Sequence, residues 1–180
     1  GSVRMGHLID SLLAYAQVGA AQRAFDRVEL AAVIAEVVQN LRHKIDHDKG
    51  SVNHGELSAV HGDAVLLVQL FQNLIGNAIK FHREGVAPAV TISAREVPHG
   101  VEIAVADNGI GIPSEDCERI FELFTRLHGR EHFDGSGIGL ATCRLIVERL
   151  GGSIAVDSQP GEGAVFRVVL PKALGAPASA

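Results

Sequence analysis

Asn73, Asn77 and Lys80 lie in one stretch, Gln69 to Phe81, that reads Q-L-F-Q-N-L-I-G-N-A-I-K-F. On a helix the two asparagines, four residues apart, share a face, and Lys80 follows three residues on. Carboxamide oxygens suit a hard cation such as Mg2+, and an ammonium suits phosphate. Taken alone, a polar row of this kind is usually just the solvated face of an amphipathic helix. Asp107-Asn108-Gly109-Ile110-Gly111-Ile112 sets a carboxylate ahead of two glycines, an acceptor beside backbone that a ligand can approach closely. That carboxylate would accept from the exocyclic amino group of adenine, whereas guanine would meet it oxygen to oxygen. D-N-G is also an ordinary turn sequence. Gly135-Ser136-Gly137-Ile138-Gly139-Leu140 opens a helix, where free backbone N–H groups and the macrodipole favour an anion. No Lys-Ser/Thr follows and no strand directly precedes it, so it is neither a P-loop nor a dinucleotide fingerprint. Glycine-rich loops also serve simply as close turns.

Between the last two groups runs Phe121-Glu122-Leu123-Phe124-Thr125-Arg126-Leu127-His128-Gly129-Arg130. Burial of Phe121 and Phe124 would anchor a lid, and Arg126, His128 and Arg130 would then swing onto phosphates. Singly, each basic residue is equally well read as part of a surface loop.

The elements that position these groups follow from apolar periodicity. Leu70, Leu74, Ile75, Ala78, Ile79 and Phe81 give Gln69–Phe81 a buried helical face. Asp63 is placed to cap that helix. Val3 to Val18 reads as a helix with a near-heptad stripe of Met5, Leu8, Ile9, Leu12, Leu13 and Tyr15/Ala16. It packs either on the chain's own main domain or on a partner helix of a bundle. Gly19 to Gln22 reads as a linker. Phe25 to Leu30 is a short strand, and Ala31 to Asp48 one helix. His43 and His47 have metal-ligand spacing but no third ligand, which favours plain exposed histidines. Ser51 to Asn53, Ala59 to His61, Ala89 to Val97 and Val101 to Ala106 read as strands, the last two joined at Pro98-His99-Gly100. Asp107 to Ser136 is a long loop region holding one helical piece, Ser114 to Phe124, as a functional lid would. Ile138 to Leu150 is a helix, followed by a hairpin of Ser153–Asp157 and Ala164–Leu170. Helices mixed with hairpins predict an α+β two-layer sandwich, a mixed and mostly antiparallel sheet with about three helices on one face.

Composition narrows the function class. The 180 residues are 47% hydrophobic and 21% charged, which suits a domain with a proper core. The net charge of -5 argues against a nucleic-acid binder. Two isolated cysteines make no disulfide framework and suit a reducing, cytoplasmic setting. No apolar run is long enough to span a bilayer, and no direct membrane contact is expected. Gly1-Ser2 looks like a scar of tag removal, so the natural protein is expected to begin upstream. The expected division is residues 1–22 for scar, helix and linker, 23–172 for the main domain, and 173–180 for a frayed tail.

The ordered set decides among these readings. N-L-I-G-N-A-I-K-F, then D-N-G-I-G-I, the Phe pair, G-S-G-I-G-L, and G-E-G near the end resemble the catalytic ATP-binding domain of sensor histidine kinases. That domain belongs to the wider superfamily of gyrase, Hsp90 and MutL. The resemblance covers roughly Phe25 to Pro171, and F-Q-N-L-I-G-N-A-I-K-F with F-T-R-L-H-G-R is most similar to bacterial phytochrome-type kinases. It implies ATP and Mg2+ as ligands. Asn77 would hold the Mg2+, with Asn73 and Lys80 at the phosphates. Asp107 would hold the adenine amino group, with Gly109, Gly111 and Ile112 shaping its pocket. Gly135, Ser136, Gly137, Ile138, Gly139 and Leu140 would line the triphosphate, with Arg126 and His128 from the lid. The leading helix would be the second helix of the dimerisation and phosphotransfer bundle. The implied partners are that bundle, a response-regulator receiver domain, and a second copy in the full-length protein.

The family's acceptor motif resembles H-E/D-x-K/R-x-P, and no histidine here fits: His47-Asp48-Lys49-Gly50 lacks the proline. The chain is therefore expected to bind ATP-Mg2+ without labelling itself. The competing readings are an ATP-hydrolysing clamp, a regulatory nucleotide-binding module, and a serine kinase of the anti-sigma type. Clamp relatives carry a glutamate base at the Asn73 position, and an amide cannot take up a proton at neutral pH.

Overall fold

The computed structural model describes residues 2–20, 24–129 and 132–173. A helix α1, Ser2–Ala20, precedes strand β1, Asp26–Val28, and helices α2, Leu30–Asn40, and α3, Arg42–His47. Strands β2, Ser51–His54, and β3, Val60–Gly62, lead into α4, Ala64–Lys80. Strands β4, Ala89–Val97, and β5, Gly100–Asp107, form a hairpin, and α5, Gly139–Arg149, is followed by β6, Ser153–Ser158, and β7, Ala164–Leu170.

Five strands make one sheet in the order β2-β4-β5-β7-β6. Only β2 and β4 run parallel; the other three pairings are antiparallel. Strands β1 and β3 pair separately. Alternation explains the layering: Val90 and Ile92 of β4, Val101, Ile103 and Val105 of β5, and Phe166, Val168 and Leu170 of β7 all point to one buried face. Helices α2, α4 and α5 cover that face with Ile34, Val37, Leu70, Phe71, Leu74, Ile75, Cys143, Ile146 and Val147. This is the expected α+β two-layer sandwich, with a mixed sheet and helices on one side.

Several local expectations change. The span Ala31 to Asp48 is two helices, because Leu41 leaves helical geometry at φ −95°, ψ 3°. The bonds from Leu41 N to Val37 O and from Ile45 N to Leu41 O continue on both sides, so the break is a bend that still buries Ile45. The strand expected from Phe25 is only three residues, since Leu30 starts α2 and is buried. Gly19 and Ala20, expected in a linker, complete α1; residues 21 and 22 lie outside the described residues. Arg149 donates to the Gly19 carbonyl at 2.7 Å, satisfying a helix-end acceptor. Ser114 to Phe124 is not a helix but two single 3-10 turns, Ser114–Asp116 and Arg119–Phe121. Glu122 is extended, and the Phe124 N–H is spent on the Gly137 carbonyl at 2.8 Å instead of on a helical turn. The tail beyond Ala173 lies outside the described residues.

Candidate functional site

Helix α4 is the floor of a groove of about 340 Å³. The Asp63 carboxylate caps it, accepting from Val65 N at 2.8 Å and Leu66 N at 3.3 Å. Its apolar face is buried by Leu66, Leu70, Leu74, Ile75 and Ile79, so the opposite row is fixed toward the groove. Asn73, Asn77 and Lys80 all line it. The row continues to Gln69, one turn before Asn73, which also lines the groove. That fourth member was visible as i, i+4, i+8 spacing but lay outside the motif.

Asp107 stands at one end of the groove, on the last residue of β5. One carboxylate oxygen accepts from Gly109 N at 2.8 Å and from Ala164 N at 3.2 Å. Burial pushes this carboxyl above the ordinary range, and the two N–H bonds pull partly back. Ile110 N donates to the Phe81 carbonyl at 3.0 Å, which fastens the C-terminal end of α4 beside this loop. Gly111 has φ 74°, and a Cβ there would collide with the Gln159 carbonyl. Gly163, in the G-E-G segment, has φ 77°, and a Cβ would collide with the Asp107 carbonyl. The glycines thus let the β6–β7 turn press against the Asp107 loop. Ser158 joins the two: its hydroxyl accepts from Ile112 N at 2.8 Å and donates to the Gly163 carbonyl at 2.6 Å. Nothing in the sequence marked Ser158, because its role depends on Ile112, forty-six residues away in the Asp107 loop.

The glycine-rich segment borders the middle of the row. Asn73 Nδ2 donates to the Gly139 carbonyl at 3.3 Å, joining α4 to the first residue of α5. A Cβ on Gly135 would stand 2.7 Å from Lys80 Nζ, so that loop packs on the ammonium. Burial, with Lys44 and Arg126 nearby, holds the Lys80 ammonium below the usual lysine range, and Asp134 partly offsets this. Gly137 has φ 71° and abuts the Phe124 backbone. Ser136 supports the turn, its Oγ accepting from Ile138 N at 3.3 Å. Gly135, Ser136, Gly137, Ile138, Gly139 and Leu140 all line the groove, as do Gly111 and Ile112. Gly109 is not among the lining residues; it packs on the Phe81 carbonyl.

The lid differs from its expected form. Phe121 is buried against Phe166, ring centroids 6.2 Å apart, with the Arg144 guanidinium 5.3 Å from its ring. Phe124, expected to be the second anchor, is 57% exposed at φ 64°, because its peptide N–H is turned to Gly137. The second anchor is Phe133, whose ring lies 4.9 Å from Phe81 and 5.5 Å from His128. Arg126 does not reach into open space: its two terminal nitrogens donate to the Gly135 and Phe133 carbonyls, each at 2.6 Å. It shapes the lid from within, while still lining the groove with His128. Arg130 lies outside the described residues.

Helix α1 has two faces. Ser11 and Ala14 line the groove and Val18 is buried, with α1 packed on α5. The near-heptad stripe points the other way: Met5, Leu8, Ile9, Leu12 and Leu13 are all exposed. The chain's own domain therefore does not cover that stripe. His43 and His47 belong to no ligand group: among the described residues no three His, Cys, Asp or Glu come together to hold a metal.

Asn77 does suit a cation shared with phosphates. Its carboxamide is half-buried in the groove and makes no hydrogen bond to another described residue. Mg2+ is ordinarily held by one or two protein oxygens together with phosphates and waters, so one free amide oxygen is a sufficient protein contribution.

Known proteins match this chain in sequence and in shape. The family described as "Histidine kinase-, DNA gyrase B-, and HSP90-like ATPase" matches residues 62–174. Cyanobacterial phytochrome A of Nostoc sp. is 42% identical over 167 residues, covering 93% of this chain and 22% of its own length. Sensor-like histidine kinase SenX3 of Mycolicibacterium smegmatis is 34% identical over 179 residues, covering 95% of this chain and 46% of its own length. The chain thus spans less than half of either relative. Full-length ShkA in complex with AMPPNP superposes with a TM-score of 0.80 at 27% identity, over 94% of this chain and 36% of that one. The nucleotide-free catalytic domain of histidine kinase ThkA gives a TM-score of 0.71 at 28% identity, over 84% of this chain and 100% of that one.

Proposed function

The chain belongs to the histidine kinase-, DNA gyrase B- and HSP90-like ATPase family, and on that premise we propose that it is the ATP-binding catalytic domain of a two-component sensor histidine kinase of phytochrome type. It binds ATP with Mg2+ and hands the γ-phosphoryl group to a histidine on a helical bundle. Asp107 takes the adenine amino group, at the end of the groove fastened by Phe81 and Ile110. Lys80 and the N–H groups at the start of α5 face the phosphates, and Asn77 offers its amide oxygen to the ion. Mg2+, when bound, supplies charge neutralisation at the phosphate oxygens. The residues of the chain orient the nucleotide and screen it beneath the Phe81–His128–Phe133 cluster.

The observation that carries this reading over a clamp ATPase is Asn73. It lines the groove at the start of α5, bonded to the Gly139 carbonyl, where a water-activating base would stand in clamp relatives. An amide cannot take a proton from water, whereas transfer to a nitrogen nucleophile needs positioning and charge neutralisation above all. The exposed stripe of α1 is the surface on which the bundle's other helix packs, and the full-length protein is a cytoplasmic homodimer that passes its phosphoryl group to a receiver domain. The test supplies a histidine-bearing bundle from a relative, together with γ-labelled ATP and Mg2+. Label on the bundle, none on the chain itself and slow release of phosphate support the reading. Rapid release of free phosphate without labelled bundle would replace it with the clamp ATPase.

A further inference from the structure

Strand β2 is an edge of the five-stranded sheet, paired with β4 alone. The N–H groups of Ser51 and of Gly55, just beyond the strand, donate inward to the Pro88 and Ile92 carbonyls at 2.9 and 3.3 Å. In a parallel ladder alternate residues bond the same neighbour, so Val52 and His54 turn their N–H and C=O groups outward. The usual guards of an edge are missing, since Ser51–His54 holds no proline, lysine, arginine or carboxylate. Beside this edge lies a second groove, of about 400 Å³, between β2, α2 and the start of α3. Val52 and His54 stand in register with Val90 and Ile92, which are buried under the helices, so their side chains point to that same side. They line the groove with Ile34, Val38, Gln39 and Arg42. Val38 and Val52 are partly buried and give it an apolar floor. Arg42 makes no ion pair or side-chain hydrogen bond with another described residue, and no described Asp or Glu lines the groove. In a chain of net charge -5 this wall is locally positive. Helix α2 packs on α4, α4 on β4 and β5, α5 on β6 and β7, and α1 on α5. The second groove therefore lies at the edge away from α1 and shares no lining residue with the first.

We propose that the groove between α2 and β2 is a docking site for an extended acidic peptide, which adds to β2 as a further strand. The peptide exchanges N–H to C=O bonds with Val52 and His54. Its side chains alternate, so every second one enters the groove. An aliphatic side chain covers Val38 and Val52, and a carboxylate two residues along, about 7 Å away, pairs with the Arg42 guanidinium. The edge thus supplies affinity and the groove selectivity. A helical partner would use the apolar floor but leave the outward N–H and C=O groups unmatched. A second copy of this chain, presenting its own β2, brings no carboxylate on that strand to Arg42. Docking here needs neither nucleotide nor phosphoryl transfer.

The test titrates the isotope-labelled chain, amide by amide in NMR, with the end-blocked hexapeptide Thr-Val-Thr-Glu-Thr-Val, which sets valine and glutamate on one face. Its counterpart with lysine for glutamate is the control. Saturable shifts at the Val52 and His54 amides are expected, with the glutamate peptide about tenfold tighter than the lysine one. Arg42→Gln is expected to erase that preference. His54→Pro removes one outward N–H and leaves the inner ladder intact, because an edge strand accepts proline with its nitrogen facing out. It is expected to weaken the glutamate peptide about tenfold. N-methylation of the peptide strips its own donors with the chain unaltered, and is expected to abolish binding. Shifts absent from β2 at millimolar peptide overturn the proposal, and so does equal binding of the two peptides. Binding that survives N-methylation overturns it as well, by giving the groove to side-chain contacts alone. Shifts of the β2 amides that grow with chain concentration before any peptide is added would assign the edge to a second copy and overturn it too.

Discussion

Asp107 and Ala164 are hydrogen-bonded, carboxylate to peptide N–H, at 3.2 Å, across fifty-seven residues of chain. One carboxylate oxygen thereby belongs to the fold, holding the β6–β7 turn on the end of β5. The nucleotide role proposed for Asp107 falls to its remaining acceptor capacity.

Adenine binding should depend on pH. Burial raises the Asp107 carboxyl, and an amino donor stabilises its ionised form. Nucleotide affinity therefore rises with pH through that raised value, with a proton released on binding. The stability contribution has the opposite sign: it is full below the unfolded value and lost as pH rises through the folded one. Asp107→Asn should flatten the affinity profile and weaken AMPPNP binding by about ten- to a hundredfold. Calorimetry at several pH values checks both, and an Asn variant with the same pH slope would remove Asp107 from the site.

Gly163→Ala should damage the fold and the site together. The position has φ 77°, and the new methyl would collide with the Asp107 carbonyl. The left-handed backbone alone costs about 1–2 kcal/mol, and the collision adds to it. Urea unfolding should show at least that loss, whereas Gly161→Ala, where nothing lies near the added methyl, should show only the backbone part.

Asn77→Ala should remove the benefit of Mg2+ without collapsing the protein. The Asn77 side chain makes no hydrogen bond to another described residue. AMPPNP affinity measured with Mg2+ and with EDTA should differ for the unsubstituted chain and converge for the variant. A variant that keeps the full difference places the ion elsewhere.

The two thiols should separate cleanly under alkylation. Cys143 is fully buried, its Sγ 3.8 Å from the Leu70 carbonyl, and burial pushes its thiol up to about 12. Cys117 is partly exposed, and both burial and its acidic neighbours raise it too. Iodoacetamide at alkaline pH should modify one thiol in the native chain, slowly, and two after denaturation, as counted by mass spectrometry.

The sheet, its helices and the polar row on α4 were legible because each is a local pattern: alternation in β4, β5 and β7, and helical spacing in α4. The lid was not. Ser114 to Phe124 has helical composition, but its N–H groups are claimed by Gly137 and by 3-10 turns, a tertiary override that no window of sequence records. Phe133 takes the place expected of Phe124 for the same reason, since which ring packs inward depends on where Phe81 stands. Gln69 needed only one more step along a visible row, yet its motif ended at Asn73. The outer stripe of α1 was legible as a stripe, and only coordinates could show that the domain leaves it uncovered.

The central place of β5 has a consequence for how the molecule breathes. Its amides pair on both sides, with β4 and with β7. The end of the groove at Asp107 is thus built on the most enclosed strand, whose exchange with deuterated solvent should require opening of the whole sheet. The described residues of the opposite rim, 117–129 and 132–136, have no strand pairing and are held by Arg126, the Phe124 N–H on Gly137 and a few aromatic contacts. One side of the site therefore answers to global unfolding and the other to local opening, so the rim can open while the Asp107 end of the groove stays intact.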